Sequence, residues 1–149
     1  MAGRVQAIAM VAIDHPTVSA AVAAVEAAGT PVFSLLSDFA AGVRHGYIGL
    51  DNRKVGRTSG WLLSRCVGRP AKVAIFVGSH RFHGHEERES GFRSYLRESA
   101  PEVEVIETQA SLEDRGVAHE AVIGLLRRHP DLRGIYIAGG GMEGAIAAL

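Results

Sequence analysis

Three histidines and three glutamates crowd one short stretch, His80, His83, His85, Glu86, Glu87 and Glu89. Zinc needs three or four such donors converging at about 2 Å, and an H-x-x-H-x-H loop could supply them. The spacing matches no recognised zinc signature, so no metal site is assigned. Histidines that follow a strand end serve as hydrogen-bonding groups for a polar ligand, and glutamates in a first helical turn complement the helix dipole. Ser79 beside His80, and Ser37 beside Asp38, place nucleophile and base types side by side. Sequence neighbours seldom point at one another as a nucleophile–base pair must, and no G-x-S-x-G elbow is present. No catalytic residue is assigned, and the chain is read as one that binds a ligand without transforming it.

Gly139, Gly141 and Gly144 satisfy G-x-G-x-x-G between a strand and a helix. A dinucleotide site also needs an acidic residue about 20 positions later to hold the ribose, and it ordinarily uses the first βα unit. The chain given stops at Leu149, and this unit is its last. The glycines are therefore read as a tight turn beside a ligand pocket, with no cofactor. Arg88 is a stronger candidate. It sits one turn into a helix, three residues before Gly91-Phe92. A guanidinium aimed back at the preceding loop offers a planar fork of donors to sugar hydroxyls or a carboxylate.

Such residues need a scaffold, and apolar runs alternate with helical patterns along the whole chain. Val5 to Ile13 reads as a strand buried on both faces of a parallel sheet. Pro16 opens a helix with Val18, Val22 and Val25 on one face, stopped by Gly29, and Val32 to Leu36 forms the next strand. Only ten residues, with Gly42 and Gly46 among them and no helical period, separate Leu36 from a third strand at Tyr47 to Leu50. A parallel crossover takes about a dozen residues and usually a helix, so this step predicts an antiparallel edge or passage into a second sheet. A helix follows over Lys54 to Val67, with Val55, Leu62, Leu63 and Cys66 inward, and then a strand over Lys72 to Val77. The remaining elements are a helix near Glu86 to Glu98, a strand Val103 to Glu107, a helix Leu112 to Arg128, a strand Ile135 to Ala138 and a helix opening at Met142. The pattern is α/β, two doubly wound parallel-sheet pieces joined near residues 37–52. Ligands of such sheets bind beyond the carboxyl ends of the strands. Those positions hold Asp14, His15, Ser37, Asp38, Asp51, Asn52, residues 79–88 and residues 139–143.

Composition narrows the partners. Apolar residues make up 47% and charged residues 21%, a globular balance. Sixteen basic residues match sixteen acidic ones, and no basic run exceeds two, so the chain alone makes a poor DNA binder. The single cysteine, Cys66, excludes an internal disulfide and suits a reducing compartment, where it is read as a small buried hydrophobe. The first apolar run is too short to cross a bilayer and enters a helix without a cleavage site. A cytoplasmic location, with no signal peptide after Met-Ala-Gly-Arg and no membrane partner, is the expectation.

The run Tyr47-Ile48-Gly49-Leu50-Asp51-Asn52, then Val55-Gly56-Arg57, resembles the "V-x-x-D-N … G" segment of LacI-type regulators and periplasmic sugar-binding proteins. Arg88-Glu89-Ser90-Gly91-Phe92 resembles their "R-x-x-G-F" helix start, and His129 to Ile135 their approach to the next strand. The resemblance covers nearly the whole chain in order. It implies two Rossmann-like lobes of periplasmic-binding-protein type, incomplete in this chain: 1–38 as part of an amino-terminal lobe, 39–52 as crossover and hinge, and 53–149 as most of a carboxy-terminal lobe. It further implies a small-molecule effector of carbohydrate type, a homodimer, and operator DNA bound through a helix-turn-helix that this chain lacks. The alternative is the sugar-binding component of a periplasmic ABC transporter. Carried over by position, Arg88 bonds effector hydroxyls, Asp51 lies at the cleft, Arg81 and His83 fill a polar loop, and Ser37 and Asp38 sit at the crossover. The turn after the last strand usually offers Asn or Asp, whereas Met142 stands here, with Glu143 as the substitute.

Overall fold

Valines at helical spacing over residues 16–27 form a helix where the pattern demands one, and the same logic holds for most of the chain. The computed structural model describes residues 5–149. The opening Met-Ala-Gly-Arg, with the leader reading attached to it, lies outside the described residues. The chain divides into two units, residues 1–51 with 81–84, and residues 52–80 with 85–149.

The first unit contains β1 (Ile8–Met10), α1 (Pro16–Ala27), β2 (Val32–Leu35) and β3 (Gly46–Ile48). His15 caps α1, its Nδ1 accepting from the Thr17 amide, and Pro16 supplies the preset φ of a first helical residue. Val22 is buried against Val32, Phe39 and Ala40, with Val18 and Val25 packed beside them. The apolar run from Val5 to Ile13 gives only three residues to the ladder, and Val5 and Val11 are about half exposed. β1 is an edge strand beside a four-residue β2, so its pairing cannot extend over the whole run.

The sheet order is β1-β2-β3, and β3 runs parallel to β2 with Ser34 opposite Tyr47. This corrects the expectation of an antiparallel edge or a second sheet. The loop between Leu35 and Gly46 does what a crossover helix usually does. Phe39 and Ala40 bury into the α1–β2 core, as a helical face would. Leu36, Ala40 and Gly42 adopt positive φ, which lets the loop double back within a few residues. Asp38 holds it closed, with Oδ1 accepting from Ser34 Oγ, the Phe39 amide and Arg44 Nε, and Oδ2 from Arg44 Nη2 at 2.6 Å.

The second unit contains α2 (Asn52–Cys66), β4 (Ala71–Val77), α3 (His83–Ser99, its first two residues clustering with the first unit), β5 (Val103–Ala110), α4 (Arg115–Arg128), β6 (Leu132–Ile137) and α5 (Met142–Ala147). The all-parallel order β5-β4-β6 makes β4 central, and Val73 to Val77 are essentially inaccessible. One face packs Phe92 and Leu96 of α3 on Val73, Ile75 and Val77, with Phe92 stacked on Tyr136 at 4.7 Å. Burial of Phe92 contributes roughly 1.5–3 kcal/mol. The other face receives Val122 and Leu125 of α4.

α2 departs from its apolar pattern. Its buried line is Asn52, Gly56, Gly60 and Ser64, while Leu62 is mostly exposed and Cys66 lies on the surface. The inward reading of Leu62 and Cys66 is thereby corrected. Backbone proximity sets this face: a Cβ on Gly56 would overlap the Arg88 carbonyl oxygen, and one on Gly91 the Arg53 carbonyl oxygen. Only small residues let α2 and α3 approach so closely.

Candidate functional site

Parallel strands all end at one edge, so β4, β5 and β6 deliver residues 78–79, 111 and 138–140 together. Arg88 reaches that edge from α3. Its Nε–H donates to Asn52 Oδ1 at 2.8 Å, and Nη1 donates to the Ala138 carbonyl at 3.3 Å. A guanidinium has five N–H donors. The others, including both on Nη2, have no partner among the described residues, and Arg88 is only half-buried. Asn52 is 2% exposed and stands at the first residue of α2, so Arg88 is braced from a neighbouring helix. The sequence places Asn52 at a strand end without a role of its own, and the D-N pair at a strand-to-helix junction is the signal for it.

The glycine run after β6 is accounted for sterically. Gly139 passes so near Gly78 that a Cβ there would lie 2.7 Å from its Cα, and Gly141 caps α5 in the left-handed region. A Cβ on Gly78 or on Gly140 would overlap the Glu113 carboxylate. Glu113, at the β5–α4 loop, thus lies across both strand ends, a second position that sequence reasoning did not single out. Glu143, offered as the acceptor from this turn, is exposed in the first turn of α5.

His85 is turned into the same region. Its Nδ1 lies 3.2 Å from the Ser79 amide nitrogen, 3.1 Å from the Ser79 carbonyl and 3.7 Å from Glu113 Oε1. Burial holds its pKa below the ordinary histidine value, against the Ser79 carbonyl and Glu113, which favour the proton. His80 instead approaches Glu89 at 3.6 Å, and Glu89 is bonded to Arg93 and Thr108. Among the described residues, no group of three or more His, Cys, Asp or Glu side chains is placed to hold a metal, and no helix is long and apolar enough to cross a membrane.

In the first unit, residues 81–84 dock on the ends of β1 and β2. The Asp14 amide donates to the Arg81 carbonyl at 3.2 Å, and the Gly84 amide donates to the buried Ser37 Oγ at 2.9 Å. The segment carrying Arg81 and His83 is thus fixed beside Asp14 and Ser37 through Arg81 and Gly84, and Arg81 and His83 are exposed. Asp38 stands beside Ser37 but is committed to Arg44, whose hydrogen bonds hold its pKa below the usual carboxylate value. Asp51 is exposed at the residue preceding α2.

Hydroxyl groups both donate and accept, and this edge offers a charged fork, a carboxylate and a tethered imidazole to meet them. Residues 1–149 match the family described as periplasmic binding protein domain. The ribose import binding protein RbsB of Bacillus subtilis (strain 168) is 27% identical over 123 residues, covering 83% of this chain and 39% of that protein. A solute-binding protein of an ABC transporter from Burkholderia graminis, solved with D-arabinose, superposes with a TM-score of 0.90 at 27% identity, over 97% of this chain and 50% of that one. A periplasmic solute-binding protein from Actinobacillus succinogenes, solved with D-allose, gives 0.85 at 26% identity, over 97% and 54%. The chain thus spans about two-fifths of the curated relative and about half of these solved chains.

Proposed function

Since this chain belongs over residues 1–149 to the periplasmic binding protein domain family, we propose that the strand ends of its second unit bind a carbohydrate without transforming it. The observation that carries this reading is Arg88, fixed at two of its donors and open at the rest beside the ends of β4 and β6. A preorganised, part-desolvated guanidinium forms charge-assisted bonds to sugar hydroxyls at little ordering cost. The relatives solved with D-arabinose and D-allose, and the ribose import protein, support a pentose or hexose as the ligand class.

The relatives named above are import and solute-binding proteins, so we place a transporter's sugar-binding component ahead of the LacI-type regulator that the D-N and R-x-x-G-F runs suggested. The native protein separates the two: a sugar-dependent change in affinity for an operator-bearing duplex would favour the regulator, and stimulation of a cognate transporter's uptake would favour the binding component.

The test of sugar binding is calorimetry of the native protein with D-ribose, D-arabinose and D-allose, repeated with Arg88→Ala. Saturable binding is expected, weakened by roughly 1.5–3 kcal/mol in the variant, the range for a hydrogen bond to a charged group. Heat of binding to NAD with none to any sugar would overturn the proposal.

A further inference from the structure

We propose that Glu113 is a specificity-determining residue of this site, selecting neutral or amino sugars and rejecting acidic ones. This rests on the carbohydrate reading above and adds the charge class of the ligand.

Two strand ends converge here without side chains of their own, Gly78 after β4 and Gly140 after β6. The Glu113 carboxylate occupies the space that side chains at those positions would fill, Oε1 against Gly78 and Oε2 against Gly140. The loop is bent to bring it there. Leu112 and Glu113 both adopt left-handed backbone, φ 53° and 61°, although neither is Gly, Asn or Asp. Non-glycine residues in that region are strained and persist where surrounding structure over-determines them. Ser111 anchors the bend from within: its Oγ–H donates to the Gly140 carbonyl at 2.7 Å, and its amide donates to the Val77 carbonyl at 2.8 Å.

Among the described residues, no arginine or lysine neutralises the carboxylate so placed. His85 Nδ1 stands 3.7 Å from Oε1, beyond hydrogen-bond reach. The imidazole is itself held toward the neutral form by burial. Glu113 is 42% exposed, so its oxygens remain reachable as acceptors. An ionised carboxylate accepts only, and it can be satisfied by a hydroxyl or, more strongly, an ammonium. Arg88 donates only. The two approach the chain just after β6 two residues apart, Arg88 at the Ala138 carbonyl and Glu113 at Gly140. A ligand spanning them must offer an acceptor to the first and a donor to the second, as a sugar's hydroxyl edge does. A carboxylate or phosphate on the edge facing Glu113 would instead meet like charge, with no arginine or lysine paired to Glu113 among the described residues to offset it.

The test titrates the native protein with D-ribose, D-arabinose, D-allose, D-glucosamine, D-glucuronate and D-ribose 5-phosphate, then repeats the series with Glu113→Gln and Glu113→Asn. Asn tolerates the left-handed backbone, so the second variant guards against loss of the loop itself. The expected result is tight binding of a neutral or amino sugar, weakened tenfold or more in both variants. D-glucuronate or D-ribose 5-phosphate should gain relative to the neutral sugars once the charge is gone. A neutral sugar that binds equally well to wild type and both variants, with the acidic sugars unchanged, overturns the assignment of Glu113 alone. Absence of binding by every member of the panel overturns the carbohydrate reading, and this assignment with it.

Discussion

The Nε–H of Arg88 donates to Oδ1 of Asn52 across 2.8 Å, tying the second turn of α3 to the first residue of α2. The bond fixes the plane of the guanidinium and leaves its outer N–H groups directed by that plane. A lysine could match the charge but not the fork.

Asn52→Leu should remove this brace while preserving volume. The buried position loses its acceptor, leaving Arg88 Nε unpaired, at a cost of about 1–3 kcal/mol to stability. Sugar affinity should fall with it, and Arg88→Lys should weaken binding as well without lowering the melting temperature comparably. Parallel calorimetry and thermal melts separate the two effects; unchanged affinity in Asn52→Leu would show that the brace is dispensable.

Gly56→Ala tests the contact between the two helices. The added methyl overlaps the Arg88 carbonyl oxygen, which is backbone and cannot swing aside. A destabilisation of about 1–3 kcal/mol is expected, the usual cost of overpacking, despite the higher helix propensity of alanine. Chemical denaturation measures it, and a stabilised variant would show that the helices part easily.

Asp38→Asn should loosen the loop after β2 without touching the second unit. The exchange removes a bidentate pair with Arg44 that is only partly exposed, at an expected cost of about 1–3 kcal/mol. Hydrogen exchange should quicken at the Val43, Arg44 and His45 amides, which bond within this loop and to β2. Unaltered exchange there would contradict the role given to the pair.

Acidification should destabilise the second unit through His85. Burial lowers its folded pKa below the ordinary 6.5, so the unfolded chain binds the proton more readily. Stability from this group is complete above about pH 6.5 and is lost as pH falls toward the folded value. Arg88 and His80 add to the lowering, while the Ser79 carbonyl and Glu113 oppose it. A His85→Gln variant should show a flatter dependence of melting temperature between pH 7 and 5; an identical slope would remove His85 from the account.

The parallel α/β architecture was legible because its signals are local: Val18, Val22 and Val25 on one face of α1, the continuous apolar run of β4, Gly29 past a helix end. The faces of α2 were not. Leu62 and Leu63 announce a core, yet what decides the orientation is how near a second helix comes, and that distance has no single-residue signal. The loop after β2 misled for a related reason, since the length rule for parallel crossovers presumes a helix, and Phe39 with Ala40 substitutes for one in fewer residues. Arg88 was visible because R-x-x-G-F couples the arginine to the glycine that seats its helix. Glu113 stayed hidden because its position depends on a left-handed bend that Leu112-Glu113 gives no reason to expect.

The α2–α3 seam also divides the molecule for anyone wishing to retarget it. Gly56 and Gly91 fit against the backbone of Arg88 and Arg53, and Asn52 holds the Arg88 side chain, so substitutions there disturb the fold together with the site. Residue 113 and the glycines at 78 and 140 form a separate, exchangeable set whose side-chain volumes trade against one another. A library that randomises those three together, holding the seam constant, is where altered sugar preference should emerge with the fewest misfolded members.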